Sequence, residues 1–146
     1  MKIEGKVVAV CTSDIKGIQK TEIEKGLLIE NHGLDKDAHA GNWHRQVSLL
    51  SYDKVNEFRA KGGDVENGAF GENILVSGID LAKLPVGTLI TCGQIELEVT
   101  QIGKECHAHC AIFHQVGDCI MPREGIFTKV LKGGYIQKGD VLHVEA

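Results

Sequence analysis

Only two of the 146 residues are proline, which excludes a proline-rich linker, and no segment of biased composition or repeat of 20–50 residues divides the chain. A block of Lys or Arg is also missing, and the formal charge is −4. The electrostatic footprint that sequence-independent nucleic-acid binding needs is therefore absent, and the same lack argues against anionic membranes. Nowhere do 18 apolar residues follow one another, and Met1-Lys2-Ile3-Glu4-Gly5 opens the chain without an apolar signal region. The expectation is a cytoplasmic protein. With 42% hydrophobic and 25% charged residues, residues 1–146 read as a single domain, long enough to bury roughly two-thirds of its unfolded surface without disulfides or a structural metal.

Two residue types are plentiful instead. Eighteen glycines are about 12% of the chain, against an average near 7%, and with so little proline they read as tight turns. Five cysteines, Cys11, Cys92, Cys106, Cys110 and Cys119, are an odd set that cannot all pair within one molecule. In a reducing compartment, reactive thiols or metal ligands are expected before disulfides.

Periodicity places the elements. The β-branched run Gly5-Lys6-Val7-Val8-Ala9-Val10-Cys11 predicts an opening strand, and Leu27-Leu28-Ile29 a short second one. Residues 35–45 carry Asp35, Asp37, His39, His44 and Arg45 with one large apolar residue, Trp43, so they read as a polar loop feeding a strand over 46–50. Ser51 then has the chemistry of a helix N-cap, Val55 and Phe58 fall three apart, and Gly62-Gly63 stop the pattern. Further strands are predicted at 74–76, at 89–90 and 95–99 around the turn Cys92-Gly93-Gln94, at 125–131, and at 136–144 after the turn Lys132-Gly133-Gly134. Seven or eight short strands with one or two short helices predict a mainly β fold, a closed or nearly closed barrel. A doubly wound sheet would need more helical crossovers.

The densest chemistry lies in Lys104-Glu105-Cys106-His107-Ala108-His109-Cys110-Ala111-Ile112-Phe113-His114, with Cys119 five residues on. If this segment is helical, Cys106, Cys110 and His114 share one face, and with Cys119 they make a set suited to zinc, although the spacing matches no common zinc-finger pattern. Packing is a second reading, since free cysteine behaves as a small hydrophobe. A third is a reactive thiolate at Cys106, just past a strand and beside Lys104 and His107, whose positive charge would lower its pKa. Cys11 and Cys92 sit in strand and turn contexts and read as structural. Arg45, at the edge of a strand, suits bidentate binding of a phosphate or carboxylate, with an exposed salt bridge as the competing reading. The turn Gly68-Ala69-Phe70-Gly71-Glu72-Asn73 offers backbone N–H groups to an anion, yet lacks the spacing of either common nucleotide loop. Met121-Pro122-Arg123 adds a second arginine before a strand.

Together these segments resemble the MOSC domain, the module named for the C-terminal part of molybdenum cofactor sulfurases, in its small stand-alone bacterial form. The matching pieces are the G-x-D-x-H-x-G…R-x-V-S-L pattern over 33–49, Gly68-Ala69-Phe70-Gly71-Glu72-Asn73-Ile74, Val86-Gly87-Thr88, Gly103-Lys104-Glu105-Cys106, and the closing glycines Gly125, Gly133, Gly134 and Gly139. The resemblance implies a β-barrel that handles sulfur or the molybdenum cofactor (molybdopterin) through one cysteine, by position Cys106. Cys106 would be a persulfide carrier, giving sulfurtransferase-like activity, or a ligand to molybdenum or tungsten held by a pyranopterin. Arg45 matches the family's arginine for the pterin phosphate. His39, Phe70, Asn73 and Lys104 fall in its motifs, and Arg123 is added on charge alone. Because no sulfurase domain is present, pyridoxal phosphate is not expected to be held by this chain alone. The implied partners are a separate pyridoxal-phosphate-dependent cysteine desulfurase and a molybdoenzyme or cofactor-biosynthesis protein. The competing classes are a small zinc protein built on Cys106, Cys110, His114 and Cys119, and a module that ferries cofactor without chemistry.

Overall fold

The β-branched run near the start forms the longest strand, β1 (Lys2–Thr12), in a computed structural model that describes residues 2–15, 20–38, 40–62, 65–103 and 124–145. It is followed by β2 (Thr21–Ile23), β3 (Lys25–Ile29), β4 (Gly33–Leu34), β5 (Val47–Ser51), α1 (Tyr52–Ala60), β6 (Ile74–Ser77), β7 (Leu89–Cys92), β8 (Ile95–Ile102), β9 (Ile126–Lys132), β10 (Gly134–Gln137) and β11 (Val141–Glu145). Seven strands close on themselves in the order β1, β11, β7, β8, β9, β5, β6 and back to β1. The fold is thus a mainly β barrel, as expected. Closure removes the free strand edges that an open sheet would leave. β2 extends the sheet from the far end of β1, and β10, β3 and β4 form a separate small sheet.

Neighbouring barrel strands are antiparallel except β5 and β6, which run parallel. A parallel pair needs a crossover, and α1 supplies it. Ser51 caps this helix, accepting from the Lys54 N–H at 3.4 Å, and Val55 and Phe58 are the residues it buries. Because α1 covers the barrel wall from outside, β5 is buried on both faces. Val47 and Leu49 face the barrel interior, while Leu50 joins Val55, Phe58, Phe70 and Phe127 in a second apolar layer beneath the helix. β8, open to solvent on its outer side, keeps strict alternation with Ile95, Leu97 and Val99 buried.

The described residues contain eleven strands where periodicity predicted seven or eight. The additional β2 and β4 are three and two residues long, too short to establish a period of two, and the strand predicted over 136–144 is divided at Gly139-Asp140 into β10 and β11. β1 also breaks its own alternation: a bulge between Val7 and Ala9 puts Val7 and Val10 inside the barrel, with Ala9 and Cys11 under the helix. The Lys132-Gly133-Gly134 turn joins the barrel to the small sheet, since β10 pairs with β3 rather than with β9.

Glycine is required where backbones touch. At Gly68 (φ +93°) a Cβ would collide with the Lys20 carbonyl, whereas at Gly71 (φ +81°) it would meet open space. Both substitutions impose left-handed strain of roughly 1–2 kcal/mol, but only Gly68→Ala adds a backbone clash. Urea unfolding should therefore show Gly68→Ala as clearly the more destabilising. Equal effects would mean that the Lys20 contact does not constrain this turn.

Candidate functional site

Two motif loops meet over one buried amide. Asn73 Oδ1 accepts from the Ser48 N–H (3.0 Å), its Nδ2 donates to the Cys11 carbonyl (3.1 Å), and its own N–H reaches the Ser48 hydroxyl (3.0 Å). One side chain thereby ties β1, β5 and the start of β6. Ser48 Oγ also lies 3.3 Å from the Gly71 carbonyl, which draws the glycine turn toward β5. Inside that turn the fully buried Glu72 carboxylate accepts from the N–H groups of Gly68 (2.8 Å) and Phe70 (3.0 Å). Burial outweighs these bonds and pushes its pKa up to about 7. Phe70 packs edge-on against Phe58, with ring centroids 5.1 Å apart.

The polar loop is anchored by charge. Lys20 Nζ and Asp37 Oδ1 form a 2.7 Å ion pair with both side chains almost wholly buried, and Asp37 also accepts from the Thr12 hydroxyl at 3.1 Å. Since the Lys20 N–H donates to the Gly68 carbonyl, this pair links the polar loop to the glycine turn. In comparable buried pairs, removal of one partner costs about 3–5 kcal/mol.

Arg45 occupies the outer wall above β9. Its guanidinium carbon lies 4.6 Å from the Trp43 ring centre and 5.4 Å from that of Phe127. Its Nε is buried and has no hydrogen-bond partner among the described residues. The expected alternative, an exposed salt bridge, is not formed among the described residues. A cation held by ring faces keeps its N–H donors uncommitted, and a buried donor without a partner is costly until one arrives. Phe127 is the register partner of Ser48, whose hydroxyl lies 3.3 Å from the Gly71 carbonyl, so Ser48 links the strand that carries the Phe127 ring to the glycine turn. The stem of the 104–123 segment is close in sequence, where the Gly103 N–H donates to the Gly125 carbonyl at 2.6 Å.

Of the residues singled out from sequence, Arg45, Phe70 and Asn73 are placed around this wall. His39, Lys104, Cys106, Cys110, His114, Cys119 and Arg123 lie outside the described residues. Phe70 is core, and the Asn73 side chain is engaged in joining strands. Among the described residues no group of three or more His, Cys, Asp or Glu side chains could hold a metal ion, and no helix is long and apolar enough to cross a membrane. Cys11 is buried, with burial pushing its thiol up to about 12, and burial raises Cys92 as well. Neither favours a thiolate. A cleft of about 440 Å³ between β2 and α1 holds a different arginine, Arg59, already bonded to Val65 O (3.0 Å) and Asn67 Oδ1 (3.1 Å). Sequence reasoning missed Lys20, Glu72 and the stacking role of Trp43. The available signal was a tryptophan alone in a polar loop, two residues before an arginine.

Fold and site define a class: a closed β-barrel with a stacked arginine on its outer wall and a glycine turn fastened by buried hydrogen bonds. The sequence matches the MOSC domain over residues 35–143, and the chain belongs to that family. Solved structures agree in fold. The YuaD protein of Bacillus subtilis superposes with a TM-score of 0.82 at 20% identity, over 99% of this chain and 97% of that one. YiiM from Geobacillus stearothermophilus gives 0.71 at 19% identity over 97% and 75%. YiiM from Escherichia coli gives 0.64 at 16% identity over 100% and 70%. No curated protein matches by sequence.

Glu72 makes stability depend on pH. Its folded pKa, about 7, lies above the ordinary carboxylate value of 4.5, so its protonated form favours the folded state. That contribution is complete below about pH 4.5 and is lost as pH rises through about 7. Chemical denaturation from pH 4.5 to 8 should show a falling component in the wild type that is missing in Glu72→Gln, whatever the constant offset between the two. An unchanged slope would show that Glu72 is ionised throughout.

Proposed function

We propose that the protein receives an anionic cofactor of the pyranopterin phosphate class at Arg45 and uses Cys106 to carry sulfur or ligate the cofactor's metal during molybdoenzyme cofactor maturation. The observation that carries this reading is the buried Nε of Arg45, without a partner among the described residues and held against two aromatic rings. An orphaned donor on a fixed guanidinium fits a phosphate, whose oxygens accept strong charge-assisted hydrogen bonds. His39, Lys104 and Arg123 would add positive or polar groups around the anion. Phe70 and Asn73 would act from behind, by shaping and fastening the glycine turn. When bound, the cofactor would supply molybdenum or tungsten already ligated through sulfur, for which thiolate is a well-matched soft donor.

As a sulfur carrier, Cys106 acts by exchange. Its thiolate attacks the outer sulfur of a persulfide on a cysteine desulfurase, the donor's S–S bond breaks, and the donor cysteine leaves as a thiolate. No external oxidant is needed. Lys104 and His107, neighbours in sequence, favour the attacking thiolate. A molybdoenzyme or cofactor-biosynthesis protein then takes the sulfur.

Intact mass under non-reducing conditions, after incubation with a cysteine desulfurase and labelled cysteine, should show added sulfur on the Cys106 peptide and none in Cys106→Ser. Arg45→Gln should still load sulfur but bind pterin phosphate about ten- to a hundredfold more weakly, the value of a charge-assisted bond. The reading fails if Cys106→Ser both accepts sulfur and binds cofactor as before. It also fails if the purified protein carries stoichiometric zinc with neither molybdenum nor pterin.

A further inference from the structure

The register between β8 and β9 shifts between Val99 and Gln101. Val99 pairs with Thr128 and Gln101 with Phe127, so Thr100 is an extra residue in β8. Such bulges re-aim side chains and are frequent beside functional sites. Here the bulge meets the loop that carries Arg45. The Thr100 hydroxyl lies between two carbonyl oxygens, that of His44 and, at 3.1 Å, that of Phe127. His44 contributes the peptide bond to Arg45, and Phe127 is the ring beneath the guanidinium. Gln101 grips the same loop by its side chain: its Oε1 is 2.9 Å from His44 Nε2, and its own Nε2 donates to the Gly103 carbonyl at 2.7 Å. Because the amide nitrogen is the donor toward Gly103, the amide oxygen is the acceptor from His44, and that ring carries a proton on Nε2.

We infer that the Thr100 bulge of β8 is a clamp that sets the position of Arg45, with Thr100 and Gln101 as positioning residues for anion recognition. A surface loop that presents an arginine must lose conformational freedom when it binds, and two prior anchors on His44, one at its carbonyl and one at its ring, remove part of that cost. The same amide joins the loop to Gly103, so the anion site and the stem at Gly103 and Gly125 move as one unit. This inference rests on reading Arg45 as an anion site.

The chain's single tryptophan is Trp43, 37% exposed and stacked on Arg45, so its fluorescence reports on that site. Titration with inorganic phosphate should give a saturable change in the wild type that Arg45→Gln abolishes. Thr100→Val should weaken phosphate binding by about threefold to tenfold, the value of one neutral hydrogen bond, and Thr100→Ser should restore it. Gln101→Leu should weaken it independently, and circular dichroism should show all variants folded. If the wild type shows Arg45-dependent binding and both Thr100→Val and Gln101→Leu match it, the clamp is overturned and the anion site stands. If Arg45→Gln binds phosphate like the wild type, the anion site fails and the clamp with it.

Discussion

The hydrogen bonds of Asn73 hold together the parts from which the rest is built. At that point three strands converge: β1 through the Cys11 carbonyl, β5 through the Ser48 N–H, and β6, which begins at the next residue. β5 and β6 are the parallel pair, the place where an otherwise antiparallel barrel changes direction by a helical crossover. A parallel pair cannot be joined by a tight hairpin, so its ends must be fixed by other contacts. A 1%-exposed side chain with bonds to two other strands does this without reaching solvent. The glycine turn can then lie flat against the barrel, because Ser48 holds Gly71 and Glu72 holds Gly68 and Phe70.

Buried charge fixes the second loop. The Lys20–Asp37 pair is more expensive to desolvate than an apolar contact of equal size, so it is a poor source of stability. Its effect is on arrangement. Lys20 accepts only a few positions in which its charge is met, and in the observed one its N–H bonds Gly68 while its ammonium bonds Asp37. The polar loop and the glycine turn are distant in sequence, and this lysine determines how they are set against each other.

Strand patterning made the barrel legible. Alternation in β8 and the doubly buried run in β5 both follow from which faces are covered, and Ser51, Val55 and Phe58 announce the helix from sequence alone. What stayed hidden are features with no local signature. The bulges in β1 and β8 change register by one residue without changing composition, and β2 and β4 are shorter than one period of the pattern. Arg45 stood out as a cation at a strand edge, but Phe127 reaches its guanidinium, and Thr100 the neighbouring His44 carbonyl, from strands far along the chain. Asn73 and Phe70 stood out for belonging to a motif, and their placement is in the joint and the core behind the wall. Lys20 gave no sign at all, since a lone lysine in a polar stretch reads as solvated.

How Arg45 is held bears on what it can do. Placed against a carboxylate, a guanidinium would be fixed at the expense of its donors, and an incoming anion would have to displace that partner and leave it unpaired. Trp43 and Phe127 confine it through ring faces instead, which restrains the plane of the group while its N–H edge stays uncommitted. The cost appears as one buried nitrogen without an acceptor among the described residues. An acceptor supplied from outside, as in the proposed anion site, would both relieve that cost and gain the charge-assisted bonds. The same economy explains why the anchor falls on the His44 carbonyl and ring rather than on Arg45 itself. Restraint applied one residue away orders the loop while leaving the donors of the guanidinium uncommitted among the described residues.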